Sequence, residues 1–463
     1  MRGRTAGCAV TAVDRARLPE PGPVLPFTFP AIAKTALPNG LRVWSVRHAQ
    51  VPIAAFILLV RRGAADDPAG KDGLAAIAAD MLDEGAGALS ALELHHALAR
   101  IGAHFDTDIG SDATFLSLTT LKRFAGRGLK LLSDIVVRPM FDVADFTRVR
   151  QLRLHRLTQL RDMPGAVADR AFVRLLYGDH PYGHSPIGTE AAIAALTLDD
   201  VRRFHLEHIR PSAATLISVG DVDHEEVQRL AAEAFGDWTG AAVENSVSGN
   251  SLPQPPRLTV LPRPGAPQSE LRIGHVAVSR ATPDYHALVA ANMVLGGQFV
   301  SRINLNLREH KGFTYGARTS FDFRKLPGPF TLQVSVHTAA TSEAIEEAVG
   351  EIAAIRGPRP VSVDELSMGI AALTRGYARN FETADQIARA VTQLALYDLP
   401  DDYFSEFVPR LQAITTDEVT RVAQQHLDPG RLTTVIVGDL DAIGSELSRL
   451  NLGDPVVLSP DSI

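Results

Sequence analysis

Fifteen histidines and a single cysteine bound the metal chemistry open to this 463-residue chain. Cys8 stands alone, so neither an intrachain disulfide nor a cysteine metal cluster can form. Two histidine pairs have spacings worth testing. His180-Pro-Tyr-Gly-His184 is spaced i,i+4, but Pro181 and Gly183 make the stretch a loop, which does not stack two rings on one face. His205-Leu-Glu-His208 is spaced i,i+3 and reads as helical. The simpler reading of that pair is helix-end histidines ahead of Pro211. There is no GxxxxGK[ST] loop and no G-x-S-x-G elbow, and Gly85-Ala-Gly87 lacks the third glycine of a dinucleotide site.

The elements that must position any site come in two sets. Thr197-Leu-Asp-Asp-Val201, Pro211 and Val219-Gly-Asp-Val-Asp223 recur as Thr415-Thr-Asp-Glu-Val419, Pro429 and Val437-Gly-Asp-Leu-Asp441, all at one fixed offset without a gap. The counterpart of His205 in that register is Ala423, which is no ligand. A period this long signals two domains of similar fold. Between them, 240–256 is polar and then stiffened by Pro253, Pro255 and Pro256.

The pattern therefore divides into an N-terminal extension (1–29), a first α+β domain (30–245), a linker (246–256), a second α+β domain (257–455) and a tail (456–463). In the first, Ile53–Val60 is an apolar run of strand length, 73–82 is helical, 115–121 is a strand, 123–135 and 145–161 are basic helices, and 215–220 is a closing strand. In the second, Phe330, Leu332, Val334 and Val336 alternate with polar residues, and 325–329 turns that strand back onto one near 314–323. The expected fold class is α+β: two homologous mixed-sheet domains, each with helices packed on one face.

Composition narrows the function classes. A chain 45% hydrophobic and 21% charged is globular, and its net charge of −7 argues against a nucleic-acid partner. The segment 1–22 carries Arg2, Arg4, Arg15 and Arg17 without the apolar core of a signal peptide. The run 51–60 is too short to span a bilayer. The expected setting is cytoplasmic and away from the membrane, with a periplasmic form as the alternative.

Several stretches carry a resemblance. Leu37-Pro-Asn-Gly-Leu-Arg-Val43, Gly73-Leu-Ala75 with Met81-Leu-Asp-Glu-Gly85, His180-Pro-Tyr-Gly183, Gly296-Gly297, Ser301-Arg302, and Leu307-Arg-Glu-His-Lys-Gly312 with Tyr315 are similar to the pitrilysin/insulinase family of inverzincin metallopeptidases. The likeness covers about 30–450, in both halves. Active members carry H-x-x-E-H on the helix after the Gly-Leu-Ala stretch, two histidines for zinc and a glutamate as general base. Here those positions are Ala76, Ala79 and Asp80, a degenerate zinc motif. The family's third ligand is a glutamate about eight residues before a proline matching Pro164, yet 146–161 holds no acidic residue and five arginines, Arg148, Arg150, Arg153, Arg156 and Arg161.

The resemblance further implies an arginine and a tyrosine seven residues apart in the second half, matched by Arg308 and Tyr315. Tyr315 would donate to a developing oxyanion and Arg308 to a substrate backbone carbonyl. The chain is then expected to bind no metal, to be inactive in isolation, and to complete the site of a similar-sized H-x-x-E-H subunit that carries the zinc, acting on unfolded peptides. The alternative is a purely structural assembly subunit resembling the core proteins of respiratory complexes. Strands at 102–108 and 315–323 are either internal or edges open to an extended peptide.

Overall fold

The computed structural model describes residues 15–17, 22, 27–240 and 252–459; 246–251 of the expected linker and most of the N-terminal extension lie outside them. The first half begins with β1 (Ala33–Ala36), β2 (Arg42–Arg47) and β3 (Ile53–Val60), then α1 (Leu74–Asp80) and a short ribbon of β4 (Gly85–Ala86) and β5 (Leu89–Ser90). It continues through α2 (Ala91–Arg100), the hairpin β6 (His104–Ile109) and β7 (Thr114–Leu121), α3 (Ala125–Val137), α4 (Val143–Arg161) and α5 (Pro164–Tyr177). The half ends with α6 (Glu190–Ala195), α7 (Leu198–His208), β8 (Ala214–Gly220) and α8 (His224–Phe235).

The second half holds β9 (Leu258–Pro262), β10 (Gln268–Val276), α9 (Tyr285–Leu295), α10 (Arg302–Asn304) running on into a π-helical turn Leu305–His310, and the hairpin β11 (Ala317–Phe321) and β12 (Pro329–His337). There follow α11 (Thr341–Ala354), α12 (Val363–Thr374), α13 (Ala384–Tyr397), α14 (Tyr403–Gln412), α15 (Thr416–His426), β13 (Thr433–Gly438), α16 (Leu440–Leu447) and β14 (Val456–Val457). Among the described residues, no helix is long and apolar enough to cross a membrane.

The sheets run β1-β2-β8-β3-β7-β6 and β14-β9-β13-β10-β12-β11, the same mixed order apart from the outer strand. The repeated sequence blocks now have a physical cause. Thr197 with Asp200, and Thr415 with Glu418, are reciprocal capping boxes that start α7 and α15. The Val-Gly-Asp blocks end β8 and β13, the strands each sheet buries deepest. The strand that closes the first half in chain order lies at the centre of its sheet, between β2 and β3. Every residue of β8 is buried, as a strand covered on both faces must be.

Two-sided burial reveals how the halves join. Along β3, Ala54, Phe56, Leu58 and Val60 enter a core under the half's own helices. Ala55, Ile57 and Leu59 enter a different core, built with Ile387, Ala388, Val391 and Ala395 of α13. In return α5 covers the second sheet, its Ala168, Ala171 and Phe172 meeting Val435, Val437 and Val276. Each half thus keeps its own helices on one face of its sheet and receives a helix of the other half on the opposite face. Arg272, nearly buried on β10, fixes α5 through Asp169 (2.5 Å) and the carbonyl of Gly165 (3.2 Å). The first-half segment before β1 also reaches across: Phe27 stacks on Phe381, 4.8 Å between centroids, and the Phe29 N–H donates to Ser405.

Candidate functional site

The helix α1 starts from a built platform. Gly73 has φ +97°, and a Cβ there would lie 2.7 Å from Ile193 Cδ1 and 2.9 Å from Gly188 Cα, so glycine is required. The buried Asp67 carboxylate accepts the N–H groups of Gly73 and Ala75, each at 2.7 Å, capping the helix, and holds His184 Nε2 at 3.0 Å. Burial alone would lower the His184 pKa, but the hydrogen bond and charge of Asp67 outweigh it and raise it. His180 Nδ1 instead accepts the Tyr182 N–H (3.0 Å). The His180–His184 loop is therefore structural, and so is His205, whose Nε2 is bonded to the Val136 carbonyl at 2.7 Å.

Ala76 and Ala79 are buried on α1, while Asp80 reaches the surface and is ion-paired with Arg153 of α4. The family's metal helix and the later helix thus meet as expected, but they meet through a carboxylate and a guanidinium. A zinc site needs several converging imidazole, thiolate or carboxylate ligands. Here two methyl groups offer no lone pair, and the one carboxylate is satisfied by a fixed cation, so these residues do not fit zinc. Among the described residues, no group of three or more His, Cys, Asp or Glu is placed to hold a metal ion. What remains is a cleft of about 470 Å³ beside β6, bordered by Asp80, Asp83, Phe105, Asp106, Arg153 and Arg156. Burial pushes the Asp83 carboxyl up.

The strand bordering that cleft is a sheet edge. The Gly110 N–H donates to the Ala113 carbonyl (2.9 Å), and antiparallel alternation from that pair turns the N–H and C=O groups of Phe105, Thr107 and Ile109 outward. In the second half β11 is also an edge, but one already partly occupied. The Asn304 side chain takes both backbone groups of Ala317 (2.8 and 2.7 Å), and the Thr319 N–H donates to the Gly296 carbonyl (3.1 Å). Both strands are edges: the first keeps its outward backbone groups without a backbone partner among the described residues, and the second is capped by its own chain.

Arg308 lies in the π-helical turn, a form often found at functional positions. Its guanidinium carbon sits 3.4 Å from the Phe299 ring centroid, and Nη2 is 2.5 Å from Glu309. The buried Nη1 has no hydrogen-bond partner among the described residues. Gly312, at φ +68°, ends the turn. The following strand begins at Ala317, a little later than the strand expected near 314–323, because Thr314 Oγ1 first closes a small turn on the Gly316 N–H at 3.1 Å. Tyr315 is left 91% exposed on that turn. No hydrogen bond joins Arg308 and Tyr315 among the described residues; Asn304, at the start of the helical stretch that carries Arg308, bonds the backbone of Ala317 at the start of β11. Arg302 points inward, bidentate on Glu365 (2.6 and 2.7 Å) and bonded to the carbonyls of Arg359 and Pro360. Sequence reasoning did not reach Phe299 or Asn304, although Gly296-Gly297 marked the loop that sets them. A Cβ on Gly296 would come within 2.5 Å of Thr319 Oγ1.

Two family models match consecutive parts of the chain: "Insulinase (Peptidase family M16)" over residues 42–190 and "Peptidase M16 inactive domain" over 195–373. The chain belongs to the insulinase, or M16 peptidase, family. It is similar to an uncharacterized zinc protease of Mycobacterium leprae, 26% identical over 63% of this chain and 66% of that protein. One of Mycobacterium tuberculosis is 24% identical over 91% of this chain and 96% of its own length. Among solved structures, a peptidase M16 inactive domain from Pseudomonas fluorescens superposes with a TM-score of 0.82 at 23% identity, covering 88% of this chain and 98% of that one. The two-half α+β fold is thus the family's.

Proposed function

We propose that this chain is the non-zinc-binding subunit of a heterodimeric zinc metalloendopeptidase, presenting Arg308 and Tyr315 to the active site of a similar-sized partner that carries H-x-x-E-H. The observation that carries the reading is the asymmetry between the halves. On α1 the catalytic positions are two buried alanines and an aspartate neutralised by Arg153. In the second half Tyr315 stands 91% exposed, and Arg308, seven residues before it, keeps a buried donor with no acceptor among the described residues. A buried N–H without an acceptor is costly in a finished structure and favours a ligand that supplies one.

These two residues speak against a purely structural role, which has no use for a solvent-facing tyrosine or for a buried guanidinium nitrogen left without an acceptor among the described residues. The substrate class follows from the open edge of β6. An extended, unfolded peptide can add a strand there, whereas most strands of a folded protein are already paired. The constant register of the repeated blocks and the shared strand order support an internal duplication as the origin of the two halves.

The reading is tested by mixing the chain with an H-x-x-E-H family subunit from the same organism and following cleavage of an unstructured peptide. Tyr315→Phe should lower kcat of the pair by roughly 10²–10³, the scale of losing one oxyanion donor. Unchanged activity in that variant would favour the scaffold role.

A further inference from the structure

Phe299 is an anomaly for a folded surface: a phenyl ring 67% exposed, adjoined by Val300, itself 41% exposed. Its close polar neighbour is Arg308, whose guanidinium carbon lies 3.4 Å from the ring centroid. The loop that carries Phe299 is held tightly. The Gly296 and Gly297 N–H groups both donate to the Asn292 carbonyl (3.0 and 2.7 Å), and side chains at either glycine would collide with Thr319 or Asn292. The backbone that leads into Phe299 is therefore held in place independently of the arginine.

The guanidinium is held on two sides. Phe299 lies against its face, an attraction between cation and ring quadrupole that also fixes the plane. Glu309 holds Nη2 at 2.5 Å. Nη1 is what the clamp leaves over, buried and without an acceptor among the described residues. A long flexible side chain ordinarily loses rotamer freedom when it binds, and a clamp that orders it beforehand removes that cost from binding.

Resting on the function proposed above, we propose that Phe299 is a positioning residue, stacking on Arg308 so that its free Nη1 is aimed at a backbone carbonyl of a bound extended peptide. Phe299 acts through Arg308 and makes no polar contact of its own with the peptide. Glu309 holds the opposite nitrogen, so one donor stays free for the ligand.

The experiment is a double-mutant cycle on the full chain, read by the anisotropy of a fluorescein-labelled, unstructured peptide. Arg308→Ala should weaken binding about 10-fold or more, the scale of a charge-assisted hydrogen bond. Phe299→Leu should weaken it about 3–10-fold. Adding Phe299→Leu to Arg308→Ala should cost nothing further, because the ring has no guanidinium left to orient. Phe299→Tyr, which keeps the ring, should bind within about twofold of the parent. Equal losses from Phe299→Leu with and without Arg308 would overturn the proposal, as would no loss in the single variant. If the parent chain does not bind the peptide, or Arg308→Ala binds as well as the parent, the function proposed above fails with it.

Discussion

At the scale of single residues, chemistry and architecture are easily confused, and Arg302 and Arg308 illustrate how they separate. Both are arginines of the family motif, on the same helical stretch. Arg302 is buried with four acceptors, two from Glu365 and two backbone carbonyls, so it ties α10 to α12. Arg308 keeps a donor unused among the described residues. The hydrogen bonds from Arg302 lower the Glu365 carboxyl pKa to about 2 from an ordinary 4.5. A carboxylate depressed in the folded state adds stability that is complete above the unfolded value. That stability is lost as pH falls from about 4.5 toward 2. Urea unfolding at pH 7 and pH 3 should show the parent losing more stability than Glu365→Gln. The difference should be about 1 kcal/mol, reduced by the solvent exposure of Glu365. Equal acid sensitivity would contradict the assignment. Sequence placed Arg308 and Tyr315 by motif. The inward bonds of Arg302 depend on the carbonyls of Arg359 and Pro360, far along the chain, which no local pattern encodes.

At the scale of elements, α1 was legible and the helix–strand link of the second half was only partly so. Gly73-Leu-Ala75 marked the start of α1, and the structure supplies the reason: a left-handed residue packed against Gly188 and Ile193, with Asp67 capping the first turn. Gly73→Ala should lower unfolding stability by about 2–4 kcal/mol, through strain at positive φ together with backbone collision. Thermal denaturation checks this. A change within about 0.5 kcal/mol, the range of an ordinary surface substitution, would mean the loop can yield. By contrast, the sequence placed a strand near 314–323 but gave no sign of the π-helical turn before it. The late start of β11 comes from the turn that Thr314 closes on Gly316, and the Asn304 side chain then takes the place of a neighbouring strand for Ala317. An asparagine in a helical stretch carries no periodic signal, so the closure of that edge could not be read beforehand.

At the scale of the whole molecule, the two-domain plan was visible as a constant register between repeated blocks, while the interlocking of the halves was not. The uninterrupted apolar run Ile53–Val60 did carry a trace of it, since a strand with one wet face alternates and this one does not. The cover for its second face is α13, which belongs to the other half and lies far along the sequence. Separately produced halves, cut within 241–251, should each expose that face. They should aggregate or unfold alone, yet associate when co-expressed, as size-exclusion chromatography and circular dichroism would show. Two stable, monomeric halves would contradict the exchange.

Helix α1 meets α4 through an ion pair at the positions where active members of the family would hold a metal. Equilibrium dialysis of the isolated chain against micromolar zinc, followed by elemental analysis, measures this directly. The prediction is far less than one zinc per chain, with none retained after buffer exchange. One tightly held zinc per chain, lost on Asp80→Ala, would contradict it.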